Sequence, residues 1–161
     1  MLKRMPTHCY DETCASCAVV DHLIFLAHHA GGFDQKNITH QMRAVFERMQ
    51  TTLQSVGATL NDLVQVNLYL KDLSDFEGAI EVFSEYIDEG CFPARMTLTS
   101  DFLDAECLCM MDGVAYRANG EQEAQTKDSL ADELLKLKQL LDAGIITQDE
   151  FGAAKKKLLD M

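Results

Sequence analysis

The spacing of apolar residues changes several times along the chain, and each change marks an element. Ala18-Val19-Val20 and Leu23-Ile24-Phe25-Leu26 are short apolar runs around the polar pair Asp21-His22, which predicts two strands joined as a hairpin. Gly31-Gly32 closes the second strand and opens a loop through Asp34 and Asn37. From Ile38 to Val56 the period lengthens: Met42, Val45, Phe46, Met49, Leu53 and Val56 recur every three or four residues, the mark of one helical face, and Gly57 ends it. Strict alternation returns at Val64-Gln65-Val66-Asn67-Leu68-Tyr69-Leu70 and predicts a strand with Val64, Val66, Leu68 and Leu70 on one face.

Ser74-Asp75-Phe76-Glu77 reads as a capping box opening a second helix, whose buried face is Ala79, Ile80, Phe83 and Ile87, with Gly90 as its stop. Ala94 to Thr99 and Ala105 to Tyr116 again read as strands. The order strand, strand, helix, strand, helix, strand, strand predicts an α+β domain: one mixed sheet with both helices on a single face. The other face is then left for partner subunits to cover.

After residue 117 the pattern breaks. Residues 118–127 are almost wholly polar and predict a linker. Residues 128–161 then carry two helical stripes. The first is Leu134, Leu137, Leu140 and Leu141, stopped by Gly144. The second is Phe151, Ala154, Leu158 and Leu159, opened by the capping box Thr147-Gln148-Asp149-Glu150. A two-helix hairpin of this size buries too little to stand robustly alone, so its leucines are expected to pack on another copy or on an unidentified protein partner.

Charge narrows the function classes. The net charge is −12; residues 1–117 hold 8 Lys and Arg against 17 Asp and Glu, which is −9, and the remainder hold 6 against 9, which is −3. Lys155-Lys156-Lys157 is the only basic run, so nucleic acid is not an expected partner. Lys3 and Arg4 are followed by Pro6, Thr7 and His8 rather than an apolar stretch, which predicts a cytoplasmic protein without a signal peptide or membrane span. There the six cysteines are expected to stay reduced. Cys9, Cys14 and Cys17 have a C-x4-C-x2-C spacing that iron–sulfur proteins also use, and Cys14 to Cys17 is a C-x-x-C. No fourth ligand stands at a recognisable offset, so neither a metal nor a cofactor is predicted. His28 and His29 are adjacent on a strand and point to opposite faces, so they cannot chelate one metal together.

The run from Val66 to Phe76 followed by Phe92-Pro93-Ala94-Arg95 resembles the RidA or YjgF family of imine deaminases, older members of which carry an endoribonuclease label. The likeness extends from about Ala15 to Arg117. It implies a chorismate-mutase-like homotrimer with pockets between subunits, where the arginine of F-P-A-R grips a substrate carboxylate. By resemblance Arg95 holds the ligand, with Phe92, Thr97, His28 and Cys14 around it. A guanidinium is chemically suited to the task, since its planar fork of donors matches two carboxylate oxygens.

Other pocket positions depart from the family. Cys14 stands where the family has a tyrosine, Ala27-His28 where it has serine-glycine, and Met110 where it has the glutamate that handles the attacking water. A thioether is no general base. Asp112, two residues along on the same strand face, is the substitute candidate. The stretch from Asp132 to Phe151 resembles the SHOCT, or short C-terminal, domain, usually read as an oligomerisation or partner-attachment module. Two functions follow: a small-carboxylate-binding trimer with weak 2-imino or enamine acid deaminase activity, or a non-catalytic ligand-binding or scaffold protein that recruits a partner through residues 128–161.

Overall fold

The computed structural model describes residues 1–118 and, beyond them, Lys138, Leu141, Thr147, Gln148, Phe151 and Ala154. The chain divides into two compact units, Met1–Arg117 and Ala118–Met161.

The first unit is a six-stranded sheet in the order β1-β2-β3-β6-β4-β5. The strands are β1 (Leu2–Arg4), β2 (Cys17–Val20), β3 (Leu23–His29), β4 (Leu63–Leu70), β5 (Ala94–Thr99) and β6 (Cys109–Tyr116). All neighbours pair antiparallel except β4 and β5, which run parallel. Parallel strands need a crossover, and here the chain supplies it through α2 (Phe76–Glu81) and α3 (Phe83–Tyr86). The long helix α1 (Ile38–Gln54) packs on β3 and β6.

The β2–β3 hairpin has the two-residue turn Asp21-His22, with Val20 paired to Leu23 and Asp21 at φ 53°. Such tight turns demand a left-handed residue, and a short polar side chain tolerates that conformation best after glycine. Asn37 caps α1, its side-chain oxygen accepting from the His40 N–H at 2.9 Å. The stripe read from the sequence is the core: Met42, Val45, Phe46, Met49 and Leu53 are fully buried against Ile24, Val66, Leu68, Leu70 and Met111.

Four features differ from the sequence reading. Strand β1 was not expected; it pairs with β2 through Leu2–Val20 and Arg4–Ala18. Val64 does not share a face with Val66: a register shift between Leu63 and Gln65 turns Val64 outward to 48% exposure and puts Leu63 in the core instead. An inserted residue reverses strand alternation, which a strict period of two cannot anticipate. The second helix is split at Val82, and in place of the box Ser74 to Glu77 it is entered through a 3-10 turn, Leu73–Asp75, capped by Asp72, which accepts from the Ser74 N–H (2.8 Å) and hydroxyl (2.7 Å).

The last strand starts at Cys109, not Ala105. The segment before it is fastened by Gln41 of α1, a fully buried amide. Its oxygen accepts from the Leu108 N–H (2.8 Å), and its nitrogen donates to the carbonyls of Glu106 (2.8 Å) and Gln35 (3.0 Å).

In the second unit Lys138, Leu141, Gln148, Phe151 and Ala154 are helical, and the Phe151 N–H donates to the Thr147 carbonyl at 2.9 Å. Leu141, Phe151 and Ala154 are half-buried; Lys138 and Gln148 are exposed. The remaining stripe residues, Leu134, Leu137, Leu140, Leu158 and Leu159, lie outside the described residues, as does the linker beyond Ala118. Among the described residues no helix is long and apolar enough to cross a membrane.

Candidate functional site

Strand register decides which chemical groups share a face. Arg95 pairs with Val66 and Thr97 with Leu68, and both of these partners are buried beneath the helices. Arg95 and Thr97 therefore project to the helix side. Asp112 pairs with Asn67 and Met110 with Tyr69, the alternate positions of β4, so Met110 and Asp112 project to the open side.

On the helix side the Arg95 guanidinium lies over the ring of Phe83 at 4.8 Å and that of Phe76 at 5.8 Å. These are cation–π distances. Arg95 lines an open concavity of about 500 Å³ together with Ile80, Phe83, Ser84, Phe92 and Pro93. Among the described residues no carboxylate lies within ion-pair reach of Arg95, although Arg43 and Lys36 are both paired, with Glu85 and Glu106. Arg95 is thus a cation shelved on aromatic rings at the wall of the concavity, with no ion-pair partner among the described residues. The F-P-A-R segment builds this arrangement: Pro93 directs the chain into β5, and the following residues alternate from there.

On the open side Asp112 is well partnered. Asn67 Nδ2 donates to its Oδ1 at 2.7 Å and the Tyr69 hydroxyl to its Oδ2 at 2.9 Å. Burial, and then the hydrogen bond to Asp112, raise the Tyr69 pKa above the ordinary phenol range. His28 stands 3.9 Å away through Nδ1. A bulge in β3 puts it there: Leu26 pairs with Gly113 and His29 with Met111, so Ala27 and His28 together face the single residue Asp112. His29 points the other way, fully buried, and His28 is largely exposed.

His29 meets a histidine that the sequence did not single out. His8, from the loop between β1 and β2, stacks on it with centroids 4.2 Å apart and donates from Nε2 to the His28 carbonyl at 3.0 Å. Cys14 lies in the same loop, exposed, beside Thr7 and Cys9. Cys17 is buried in the core, so the three cysteines of the C-x4-C-x2-C spacing are not brought together.

Of the residues proposed from sequence, then, Arg95 and Phe92 share the concavity, with Thr97 two positions along on the same strand face. His28 and Asp112 meet on the opposite face of the sheet, and Cys14 sits apart on the loop before β2. Sequence reasoning missed Phe83, the shelf under Arg95, by assigning it only to the core. It also passed over Asn67 and Tyr69, although their spacing of two places them on the polar face of β4.

The family can now be decided, because residues 17–117, the whole sheet from β2 onward, match the model described as endoribonuclease L-PSP. The chain belongs to the endoribonuclease L-PSP family. Residues 132–159 match the short C-terminal domain, SHOCT.

Among L-PSP relatives, a RutC family protein of Pyrococcus abyssi is 41% identical over 81 residues, which are 50% of this chain and 63% of that protein. A RutC family protein of Pyrococcus horikoshii is 36% identical over 81 residues, 50% of this chain and 64% of that one. The chain thus spans less than two thirds of the length of these curated relatives. A protein of Dermatophagoides farinae named 2-iminobutanoate/2-iminopropanoate deaminase is 30% identical over 61 residues, 38% of this chain and 47% of that protein. The fold is shared with a crystal structure of a YjgF-family member from Neisseria meningitidis, at TM-score 0.69 and 17% identity over 74% of this chain and 98% of that one.

Proposed function

We propose that this L-PSP domain binds a small carboxylate, of the 2-oxo, 2-imino or 2-amino acid class, in the concavity at Phe92 and Arg95. Any imine or enamine deamination it performs is slow, and the working assembly is a cytoplasmic homotrimer. One observation carries the reading: Arg95 is held on Phe83 and Phe76 with no carboxylate partner among the described residues. In a chain of net charge −12 an unclaimed guanidinium in a concavity is a local exception to a field that otherwise repels anions. The ammonium-releasing chemistry needs a water-handling acid, and Met110 and Asp112 stand across the sheet from Arg95. A complete site therefore needs a second copy to bring an open face to the concavity. The exposed apolar residues Val20, Leu23, Phe25, Met96 and Leu98 on that open face favour such an assembly.

The test is imino acid hydrolysis coupled to an amino-acid oxidase, run beside calorimetric binding of small 2-oxo and 2-amino acids, with Arg95→Ala as the control. Binding that Arg95→Ala weakens, together with slow turnover, supports the reading. Turnover equal to that of an active family member would overturn its catalytic half, and absence of Arg95-dependent binding would overturn the whole.

The second reading, a scaffold that presents the short C-terminal domain to a partner, is favoured by Met110 at the family's glutamate position. It predicts that a small acid is bound without turnover, or not bound at all, and that hydrolysis is absent in either case. Ribonuclease activity is disfavoured by the acidic charge of both parts of the chain.

A further inference from the structure

The loop between β1 and β2 leaves the sheet where the Met5 N–H donates to the Cys17 carbonyl (3.0 Å) and returns where the Ser16 N–H donates to the Pro6 carbonyl (3.3 Å). Asp11 organises its interior, accepting from the Thr13 N–H at 2.8 Å and the Thr13 hydroxyl at 2.5 Å. Cys17, Cys107 and Cys109 are buried and Cys91 is half-buried; Cys9 and Cys14, both in this loop, are the exposed thiols. Their sulfurs are 3.8 Å apart, and the Thr7 hydroxyl lies 3.2 Å from Cys9 Sγ and 3.5 Å from Cys14 Sγ.

We propose that Cys9 and Cys14 are a reversible dithiol–disulfide pair that is oxidised by a peroxide and reduced by a dithiol. The sulfurs are already in contact, and a disulfide needs an S–S distance of about 2.0 Å. Both side chains are exposed on one loop, so that closure is made without moving the core. The C-x-x-C spacing that the sequence offers, Cys14 to Cys17, is not the pair, because Cys17 is committed to the core.

Cys9 is the attacking thiol. Its hydrogen bond to Thr7 leads a set of contacts, with the Asp11 backbone and Cys14, that hold its pKa below the ordinary thiol range against the opposing charge of the Asp11 carboxylate. Burial instead pushes Cys107 to about 11 and Cys109 to about 12, which keeps both protonated and inert.

The Cys9 thiolate attacks one peroxide oxygen: an S–O bond forms, the O–O bond breaks, and the departing hydroxide takes a proton to become water. The Cys14 thiolate then attacks the Cys9 sulfur of the sulfenic acid. The S–S bond forms, the S–O bond breaks, and the hydroxide leaves as a second water. Two thiols and one hydrogen peroxide thus give one disulfide and two waters. Exchange with an external dithiol returns both thiols and oxidises that dithiol to its own disulfide.

The test treats the full chain with hydrogen peroxide, titrates free thiols and maps linkages by non-reducing digestion with a protease that cuts after glutamate. Glu12 lies between the two cysteines, so the cut leaves two peptides joined only by the disulfide, and fragmentation of the second, residues 13–47, tells a bond at Cys14 from one at Cys17. The expected result is loss of two of the six thiols, a peptide pair linked through Cys9 and Cys14, and full recovery with dithiothreitol. Cys14→Ser should stop at a Cys9 sulfenic acid that dimedone captures, and Cys9→Ser should slow peroxide consumption by at least about tenfold. Both exposed substitutions leave the circular dichroism unchanged. A linkage through Cys17, a cross-link between chains, or survival of both thiols under peroxide that oxidises free cysteine would overturn the proposal.

Discussion

The ring of His8 lies flat on the ring of His29, centroids 4.2 Å apart and planes 6° from parallel. Beneath it His29 is fully buried. Its Nδ1–H donates to the Ala27 carbonyl (2.7 Å), which leaves Nε2 to accept from the Thr52 hydroxyl (2.8 Å). Burial, reinforced by the neighbouring His8, pushes the His29 pKa down to about 4, and burial lowers that of His8 as well.

Both folded values lie below the unfolded one, so the unfolded chain binds more protons on the acid side of neutrality. The contribution is complete above about pH 6.5 and is lost as pH falls through the folded value. For His29 the loss amounts to about 3 kcal/mol, in a window above the one where ordinary carboxylates titrate. Urea unfolding from neutral pH down to about pH 4 should show this slope, and His29→Gln should flatten it.

Removing the guanidinium at Arg95 should cost affinity without costing the fold, since Arg95 is exposed and its aromatic shelf is packed independently. A charge-assisted bidentate contact is worth enough that Arg95→Ala should weaken small-acid binding about 10- to 100-fold. Arg95→Lys, which keeps the charge and loses the fork, should fall between. Titration calorimetry of both variants, with thermal melts as the control, checks this.

Met110→Glu puts a carboxylate on the open face, where the resemblance implies one. Because that face and Arg95 are on opposite sides of one sheet, any gain should appear only in the assembled protein. The expected rise in imino acid hydrolysis is about 10-fold or more, within the range that general acid–base groups supply. It should disappear when the variant also carries an assembly-breaking charge.

Phe25 supplies that second change. It is 45% exposed on the open face, so Phe25→Asp leaves the protomer's own core intact. Light scattering should report a protomer mass for Phe25→Asp where the wild type gives a multiple of it. A protomer mass for the unmodified chain would remove the trimer from consideration.

Gly113 should not tolerate a methyl group. A Cβ there would run into the Gln65 carbonyl oxygen and crowd Val66, both in the neighbouring strand. Neither neighbour is free to move, because Val66 is core and Gln65 follows the β4 bulge. Gly113→Ala should cost about 1–3 kcal/mol, read as a lowered urea midpoint.

Periodicity made the sheet, the long helix and the helix-covered face legible, because burial on one side leaves a trace in every second or every third and fourth residue. The two bulges left no such trace. The one at Val64 hid among valines and leucines, where an inserted apolar residue looks like any other. The one at Ala27-His28 fell where the pattern turns polar, so the opposed directions of His28 and His29 could be read but neither the face His28 takes nor its partner. Arg95 was found through a resemblance, and nothing in its spacing reveals that Phe83 and Phe76 support it from a crossover helix many residues earlier. His8 was invisible for a related reason: it sits in a polar loop, and its contact with His29 is between elements, not within one.

The amide of Gln41 bonds to Glu106 and Leu108 as a neighbouring strand would, so the irregular stretch ahead of β6 borrows its order from a helix. A loop anchored this way does not breathe independently. For the Leu108 amide to reach solvent, a fully buried side chain of α1 must let go, and with it the packing of Met42 and Val45 beside it. Hydrogen exchange at Leu108 therefore follows the opening of the helix and not that of the surface, which makes a single backbone amide in an apparent loop a reporter of the whole domain's cooperativity.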